Sequence, residues 1–465
     1  MIYHMDEKIF KAYDIRGIYP NEINEEIVYK IGRAYIRFLK ASAKTAKQNC
    51  RVCIGRDIRQ SSPALFKSLV RGITDEGADV YDLGLTTTPM VYFASGRLNV
   101  DGGIVLTASH NPAEYNGLKL CRADAVPIGE NSGMLDIKNI VLKNNFSKTA
   151  KKGKAVKKDI KKEYLDYFSS FVNLGEKKFK IAIDPANAMG ILELDIYKKF
   201  PENIELISIY DGFDSSFPNH EANPLKAETL KDLRKKVLET KADLGIAYDG
   251  DADRVGFVDE KGKIVPMDLV TGLIAKIVLK KNPGARILYD LRSSRSVKEI
   301  IEESGGIAGE CRVGHALIKK QMRDEKTVFA GELSGHYYFE ENYKAEAGSL
   351  PAIYLLNLMA ESGQKISELA GEIKRYYHSG EINSEVEDKG AVIQKLKEIY
   401  KDGEISELDG VKISFWENFE KGKHWWFNVR PSNTEPTLRL NLEADNEKLM
   451  ERKKDELLGI IRSAR

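Results

Sequence analysis

Three times along this chain a short apolar run stops at a polar, turn-forming loop. Gly102–Leu106 runs into Thr107-Ala108-Ser109-His110-Asn111-Pro112. Leu244–Tyr248 runs into Asp249-Gly250-Asp251-Ala252-Asp253-Arg254, and residues 327–330 into Gly331-Glu332-Leu333-Ser334-Gly335-His336. Runs of this length bounded by turn residues read as buried strands. Between them the periodicity changes to that of helices. Ser61-Ser62-Pro63 opens one, with Ser61 as cap and the proline early in the first turn. Leu65, Phe66, Leu69, Val70 and Ile73 give it an apolar face, residues 51–57 and 80–85 flank it as strands, and 89–98 is a second short helix. Strand and helix in alternation predict layered α/β domains whose ligands sit beyond the strand ends.

At 465 residues the chain is too long for one core. The alternation resumes with strands at 179–184, 204–210 and 243–249 and a helix at 225–238. It resumes again with strands at 286–289 and 327–330 and a helix face of Val297, Ile300 and Ile301. The lysine-rich stretch 148–162 reads as a solvated linker and helix start. From about Tyr376 the pattern changes. Val411, Ile413 and Phe415 alternate with polar residues, as do Leu438, Leu440 and Leu442, which predicts half-buried antiparallel strands. A closing helix runs through Leu449, Leu457 and Ile460. The expected division is three similar α/β domains, 1–154, 155–257 and 258–373, then a smaller α+β domain at 374–465.

Composition mostly excludes. Lys plus Arg number 72 against 70 for Asp plus Glu, so no global charge draws the chain to nucleic acid or an anionic membrane. No run is apolar and long enough to span a bilayer, and Met1-Ile2-Tyr3-His4-Met5-Asp6 lacks a secretory pattern. Cys50 and Cys53 form a CxxC pair, but Cys121 and Cys311 are not similarly paired and Cys53 lies in a strand. Neither a zinc half-site nor a redox pair is expected, and a cytoplasmic setting fits best.

The loops carry the chemistry. Ser109 stands where a strand stops, but a serine hydroxyl needs a base, a metal or a charged loop to become a nucleophile. In the second loop, alternate residues of an extended segment bring Asp249, Asp251 and Asp253 to one side. Three carboxylates together repel unless a cation holds them, and all-oxygen donors suit Mg²⁺, Ca²⁺ or Mn²⁺. Two rivals arise here. Asp249, Asp251, Asp253 and Glu260 match EF-hand positions, although Arg254 replaces the required glycine. An Asp-x-Asp pair after a strand also suits an aspartyl-phosphate phosphatase. Glu332 and Ser334 form a pair able to grip vicinal sugar hydroxyls. A fourth loop, Arg430-Pro431-Ser432-Asn433-Thr434-Glu435-Pro436, offers the donors of a phosphate cradle.

These four loops in this order, together with Tyr13-Asp14-Ile15-Arg16-Gly17, resemble the α-D-phosphohexomutase superfamily, most closely its phosphomannomutase/phosphoglucomutase branch. The resemblance implies four domains around a central cleft. It implies interconversion of hexose 1- and 6-phosphates through phosphorylated Ser109 and a hexose 1,6-bisphosphate, with glucose 1,6-bisphosphate as activator. Mg²⁺ would be held by Asp249, Asp251, Asp253 and the Ser109 phosphate. Arg16, His110, Lys119 and Arg254 would surround the phosphoserine, and His315 would be an active-site histidine, with Lys119 or His315 as base. Glu332 and Ser334 would hold the sugar, with Tyr13, Arg292 and His336 as further contacts. Arg430, Ser432, Asn433 and Thr434 would bind the unreacting phosphate. Partners would be small sugar phosphates, the chain a monomer or homodimer. Two departures stand out: relatives carry lysine near Arg292, and phosphoglucosamine mutases, the alternative, more often have glycine at Ala252. A bisphosphate synthase would keep the same chemistry.

Overall fold

The computed structural model describes residues 6–42, 50–147, 151–417, 419–432 and 437–463. Its first three sheets repeat one plan. In the first, Gly102–Leu106, Arg51–Arg56 and Asp79–Leu85 are adjacent and parallel, and Tyr115–Arg122 returns antiparallel beside Gly102–Leu106. In the second, Leu244–Tyr248, Phe179–Asp184 and Ile204–Ser208 are parallel and Val255–Asp259 returns beside Leu244–Tyr248. In the third, Phe329–Gly331, Arg286–Asp290 and Ile307–Cys311 are parallel and Tyr337–Phe339 returns beside Phe329–Gly331. The first-named strand of each sheet, which precedes the chemical loop or enters it, is buried along its whole length, which is why it is apolar without alternation. The three chemical loops are therefore one element repeated, the reversal from parallel to antiparallel pairing.

The fourth sheet is antiparallel throughout, in the order Tyr377–His378, Thr437–Ala444, Trp425–Pro431, Val411–Phe415, Glu404–Ser406, with Ile382–Glu385 also pairing Thr437–Ala444. Val411–Phe415 is buried at every second residue, as its alternation predicts. The helix Glu447–Arg462 covers this sheet with Leu449, Met450, Leu457 and Ile461.

Several local expectations change. The helix expected at 225–238 is Lys231–Thr240. Thr229 Oγ1 donates to the carbonyls of Asn223 and Lys226, and those turns occupy the preceding residues. Ser61 precedes Ser62–Asp75 but makes no capping bond, because its backbone is already helical and its Oγ accepts from Asn116 Nδ2 at 2.7 Å. Part of the lysine-rich stretch is an edge strand, Ala155–Lys157, paired with Asp79–Leu85, so the first sheet passes the limit read at 154. The second passes 257, since Val255–Asp259 continues and pairs with Ile264–Val265. Charged residues conceal the first extension, because an edge strand need not be apolar, and the charged turn 259–263 separates the second from its partner strand.

One apolar core runs through the first three domains. It joins Phe93 and Val91 to Tyr164 and Phe168, and these to Phe257, Ile274 and Leu355. The core of the fourth domain draws only on residues 382–461. That domain meets the third through ion pairs such as Arg295–Glu417 at 2.6 Å and Lys412–Glu310. An exposed ion pair contributes ~0–1 kcal/mol, whereas burying one Leu or Phe contributes ~1.5–3 kcal/mol. Among the described residues the joint before the fourth domain rests on ion pairs and ring contacts, with no core shared across it.

Candidate active site

Ser109 follows the strand Gly102–Leu106 in a left-handed conformation, φ 53°, that few non-glycine residues adopt. Thr107 Oγ1 accepts from its amide at 2.9 Å. The main anchor of the loop is Arg59, a residue the sequence reading passed over. Its guanidinium donates to the carbonyls of Ser109 at 2.8 Å, Asn111 at 2.6 Å, Pro112 at 2.5 Å and Tyr115 at 3.0 Å. Asp57 holds its Nε at 3.1 Å, and the side chain is 1% exposed. Breaking one partner out of such a buried network costs about 3–5 kcal/mol. Arg59→Met is expected to lose that much stability in urea titrations. Arg59→Lys, which keeps the charge but not the fork, should recover only part of it and still impair turnover.

The hydroxyl of Ser109 donates to Asp249 Oδ2 at 2.8 Å, and His110 Nδ1 lies 3.2 Å away. Burial, Arg254 and Arg16 push the His110 imidazole well below its ordinary value, so it is neutral. Gly250 permits the approach of the two loops, because a Cβ there would lie 2.3 Å from the Ser109 carbonyl. The carboxylates converge as expected, but through a turn with Ala252 at φ 59° rather than by extended alternation.

Donor oxygens of Asp249, Asp251 and Asp253 all lie within 4.8 Å of one another and are buried. Oδ1 of Asp251 has no hydrogen-bond partner, and Oδ1 of Asp253 has only the ion pair to His336 Nε2 at 3.3 Å. Buried, hard oxygen donors, one of them orphaned, are what a divalent cation of the Mg²⁺ type requires, so the residues fit a metal. Their other oxygens are engaged. Lys119 Nζ meets Asp251 Oδ2 at 2.6 Å and also Asp253, and Thr88 Oγ1 donates to Asp251 Oδ2 at 2.5 Å. Burial and the charges of Asp251 and Asp253 push Asp249 well above the carboxylate range. Asp253 is held well below it, since Lys119 and His336 outweigh burial. Lys119 is raised in turn, against burial, by Asp251 and Asp253. The EF-hand alternative fails: strands flank the loop, and Glu260 instead accepts from Ser367. Arg16 closes this end, ion-paired to Asp14 at 2.7 Å and donating to Asn111 Oδ1 at 2.5 Å.

His336 joins the second loop to the third. Its Nε2 is 3.3 Å from Asp253 and its Nδ1 3.1 Å from Glu332 Oε2 and 2.8 Å from Ser334 Oγ. Against burial, Asp253 pushes its pKa up to about 9, making it a cation at neutral pH. Arg254 Nε also lies 3.3 Å from Nε2, a contact that as a hydrogen bond needs neutral imidazole. The two flanking carboxylates favour imidazolium. Glu332 is held down to about 2 by His336, Arg292 and Tyr338 despite burial, so it is an ionised acceptor. His315 starts the helix His315–Asp324. Its ring meets Tyr13 edge-on at 5.5 Å. Gly314, at φ 128°, makes room, because a Cβ there would lie 2.5 Å from the Tyr13 ring. Burial and the cations Lys319 and Lys119 hold His315 neutral.

Arg292 carries the line into the fourth domain. Asp290 grips it at 3.1 and 2.8 Å, and Glu332 Oε1 is 3.8 Å from its Nη2. Its Nη1 meets Glu381 at 3.2 Å, and Glu381 also meets Arg430 at 3.3 Å. Ser432 Oγ accepts from Arg439 at 3.2 Å. Asn433 and Thr434 lie outside the described residues. The predicted residues form one contact line from Ser109 through the carboxylates, His336 and Glu332 to Arg292, and Glu381 links that line to Arg430. Arg59, Thr88, Asp290 and Glu381 were missed. Arg59 and Asp290 left a local trace, a charged Asp-x-Arg at the end of an apolar strand, as Asp57-Ile58-Arg59 and Asp290-Leu291-Arg292.

Four domain families match in order, described as phosphoglucomutase/phosphomannomutase alpha/beta/alpha domain I over residues 7–148, domain II over 162–262, domain III over 266–376 and the C-terminal domain over 381–460. A phosphomannomutase of Methanocaldococcus jannaschii is 41% identical over 463 residues, 98% of each chain. One from Escherichia coli is 35% identical, covering 97% of this chain and 98% of its own. The crystal structure of a phosphoglucomutase/phosphomannomutase family protein from Burkholderia thailandensis superposes with TM-score 0.88 at 30% identity, covering 99% of this chain and 98% of its own. Among the described residues no helix is long and apolar enough to cross a membrane.

Proposed function

The chain belongs to the phosphoglucomutase/phosphomannomutase family and is a phosphohexomutase, an isomerase, and on that premise we propose how its own residues carry the reaction. Ser109 is the phosphoryl carrier. The observation that carries this reading is its hydroxyl, 2.8 Å from Asp249, on a left-handed turn at the end of a buried strand. Asp249, Asp251 and Asp253 would hold a divalent metal, proposed as Mg²⁺, beside Ser109. Bound there, the cation neutralises charge on the phosphoryl oxygens.

In the forward half-reaction the bond from phosphorus to Ser109 Oγ breaks and a bond to a sugar hydroxyl oxygen forms. The sugar hydroxyl gives up its proton, and Ser109 Oγ takes one. Transfer of this kind needs positioning and charge stabilisation more than covalent assistance. Arg59 holds the Ser109 backbone, and Arg16, Lys119 and Arg254 supply cations. Glu332, ionised, accepts from two sugar hydroxyls with Ser334 beside it. His336 keeps Glu332 and Asp253 in register. His315, neutral and half-buried, is the proposed base for one half-reaction. Arg430 and Ser432 hold the phosphate that does not react. The resulting hexose 1,6-bisphosphate turns within the site and returns its other phosphate to Ser109. The polar joint before the fourth domain favours the loosening this needs.

Glucose and mannose differ only at O2, and the proposed contacts are to O3 and O4, so both sugars are expected as substrates. A coupled assay with glucose, mannose and glucosamine 1-phosphates, with glucose 1,6-bisphosphate present, tests this. Glucose and mannose 1-phosphates should turn over within about tenfold of each other in kcat/KM, the effect of one weak contact. Glucosamine phosphate turning over far faster than both would instead favour the phosphoglucosamine mutase reading.

A further inference from the structure

One carboxylate outside the four loops sits among three guanidiniums. Glu381 lies between the strands Tyr377–His378 and Ile382–Glu385. Its Oε2 meets Arg292 Nη1 at 3.2 Å and Arg430 Nη2 at 3.3 Å, and its Oε1 meets Arg439 Nη1 at 3.3 Å. Arg430 and Arg439 face each other across paired strands of the fourth sheet, while Arg292 follows a strand of the third. Two planar forks and a third converging on one small anion is how proteins bind phosphate. Here the chain supplies the anion.

We propose that Glu381 is a built-in competitor for the substrate's phosphate, holding Arg292, Arg430 and Arg439 between binding events and displaced when phosphate arrives. The proposal rests on the reading of the Arg430 loop as the cradle for the unreacting phosphate. Asp290 already pairs with Arg292, and Glu381 is the carboxylate that all three guanidiniums share. Arg430 is pushed below its ordinary value by burial and then by the charge of Arg292. The Glu381 carboxyl is held down by the three guanidiniums although burial works the other way. The residue is placed to move. Its side chain is 24% exposed, and the preceding Gly380, at φ 70°, has open space around it.

Displacement is an exchange of one anion for another, with no bond made or broken. A phosphate brings more charge and more acceptor oxygens than a carboxylate, so it wins, but by less than it would at a vacant cluster. That discount weakens uniform binding, which does not speed the chemical step and hinders release. It suits an enzyme whose bisphosphate must leave the cradle and turn around, because Glu381 recaptures the arginines as phosphate departs.

A plain clasp between the third and fourth domains would use the same contacts, and the two roles differ in one readout. Calorimetric titration of full-length, dephosphorylated protein with inorganic phosphate and with glucose 6-phosphate separates them. Glu381→Gln is expected to bind both about tenfold tighter, the size of a lost charge contact at a partly exposed site, with KM for glucose 1-phosphate falling in parallel. Glu381→Asp, still charged but a methylene shorter, should lie between, and it decides the question if Glu381→Gln does not fold. Equal or weaker phosphate binding in the folded variant overturns the competitor and leaves a clasp. Arg430→Ala separates the premise: unchanged binding there sinks the cradle reading and this proposal together. Weakened binding in Arg430→Ala with no tightening in Glu381→Gln sinks this proposal alone.

Discussion

Ser109→Ala should lower interconversion of mannose 1-phosphate and mannose 6-phosphate by ~10⁴-fold or more, as removal of a covalent carrier does elsewhere. No neighbour can substitute. His110 shares the turn but is neutral, and Asp249 is engaged with the metal site. The fold should survive. Alanine meets the same left-handed backbone cost as serine, and Arg59 still holds the loop by its carbonyls. One hydrogen bond to Asp249 is lost, worth about 1 kcal/mol. Coupled assays together with thermal melts test this. Wild-type turnover by Ser109→Ala would remove the carrier from the account.

Asp249→Asn is the second large effect. It removes a charged donor from the buried triad, so metal-dependent turnover should fall by more than the ~100-fold typical of losing an outer-shell partner. Chelation of the wild type should mimic it, and added Mg²⁺ should restore the wild type but not the variant. Stability should move differently. In the metal-free fold the Asp249 carboxyl is raised above its unfolded value, by burial and then by Asp251 and Asp253. A group raised on folding contributes stability below its unfolded pKa and loses it as pH rises through the folded one. Chelated wild type should therefore lose this contribution as pH climbs from about 4 toward neutrality. Asp249→Asn, carrying no charge at any pH, should lack that slope in denaturant titrations. A variant that kept wild-type metal affinity by calorimetry would show that the triad is not the metal site.

Much of this was legible because each chemical loop is continuous in sequence. Ser109, the three aspartates, Glu332 and Ser334, and Arg430 are announced by residue type and by the apolar strand before them. The α/β layering was legible because buried parallel strands cannot alternate. What escaped depends on chain-distant register. Thr88 reaches Asp251 across 163 positions, and Glu381 reaches Arg292 across 89. Neither has a motif around it, and a lone Thr or Glu at those places reads as surface. The edge strand Ala155–Lys157 hid in a lysine run, and no proline or glycine between Leu225 and Lys231 marks where the turns end and the helix begins. Convergence of the aspartates was foreseen, but its cause was not. The turn depends on Ala252 in a left-handed conformation, which composition does not reveal.

The central claim is that Ser109 Oγ accepts a phosphoryl group and returns it. Purified protein treated with glucose 1,6-bisphosphate, then digested and read by tandem mass spectrometry, tests it most directly. The account predicts one added HPO₃ on Ser109, stable in acid and discharged by mannose 1-phosphate with no inorganic phosphate released. An acid-labile adduct on Asp249 or Asp251, or phosphate appearing free in solution, would contradict it.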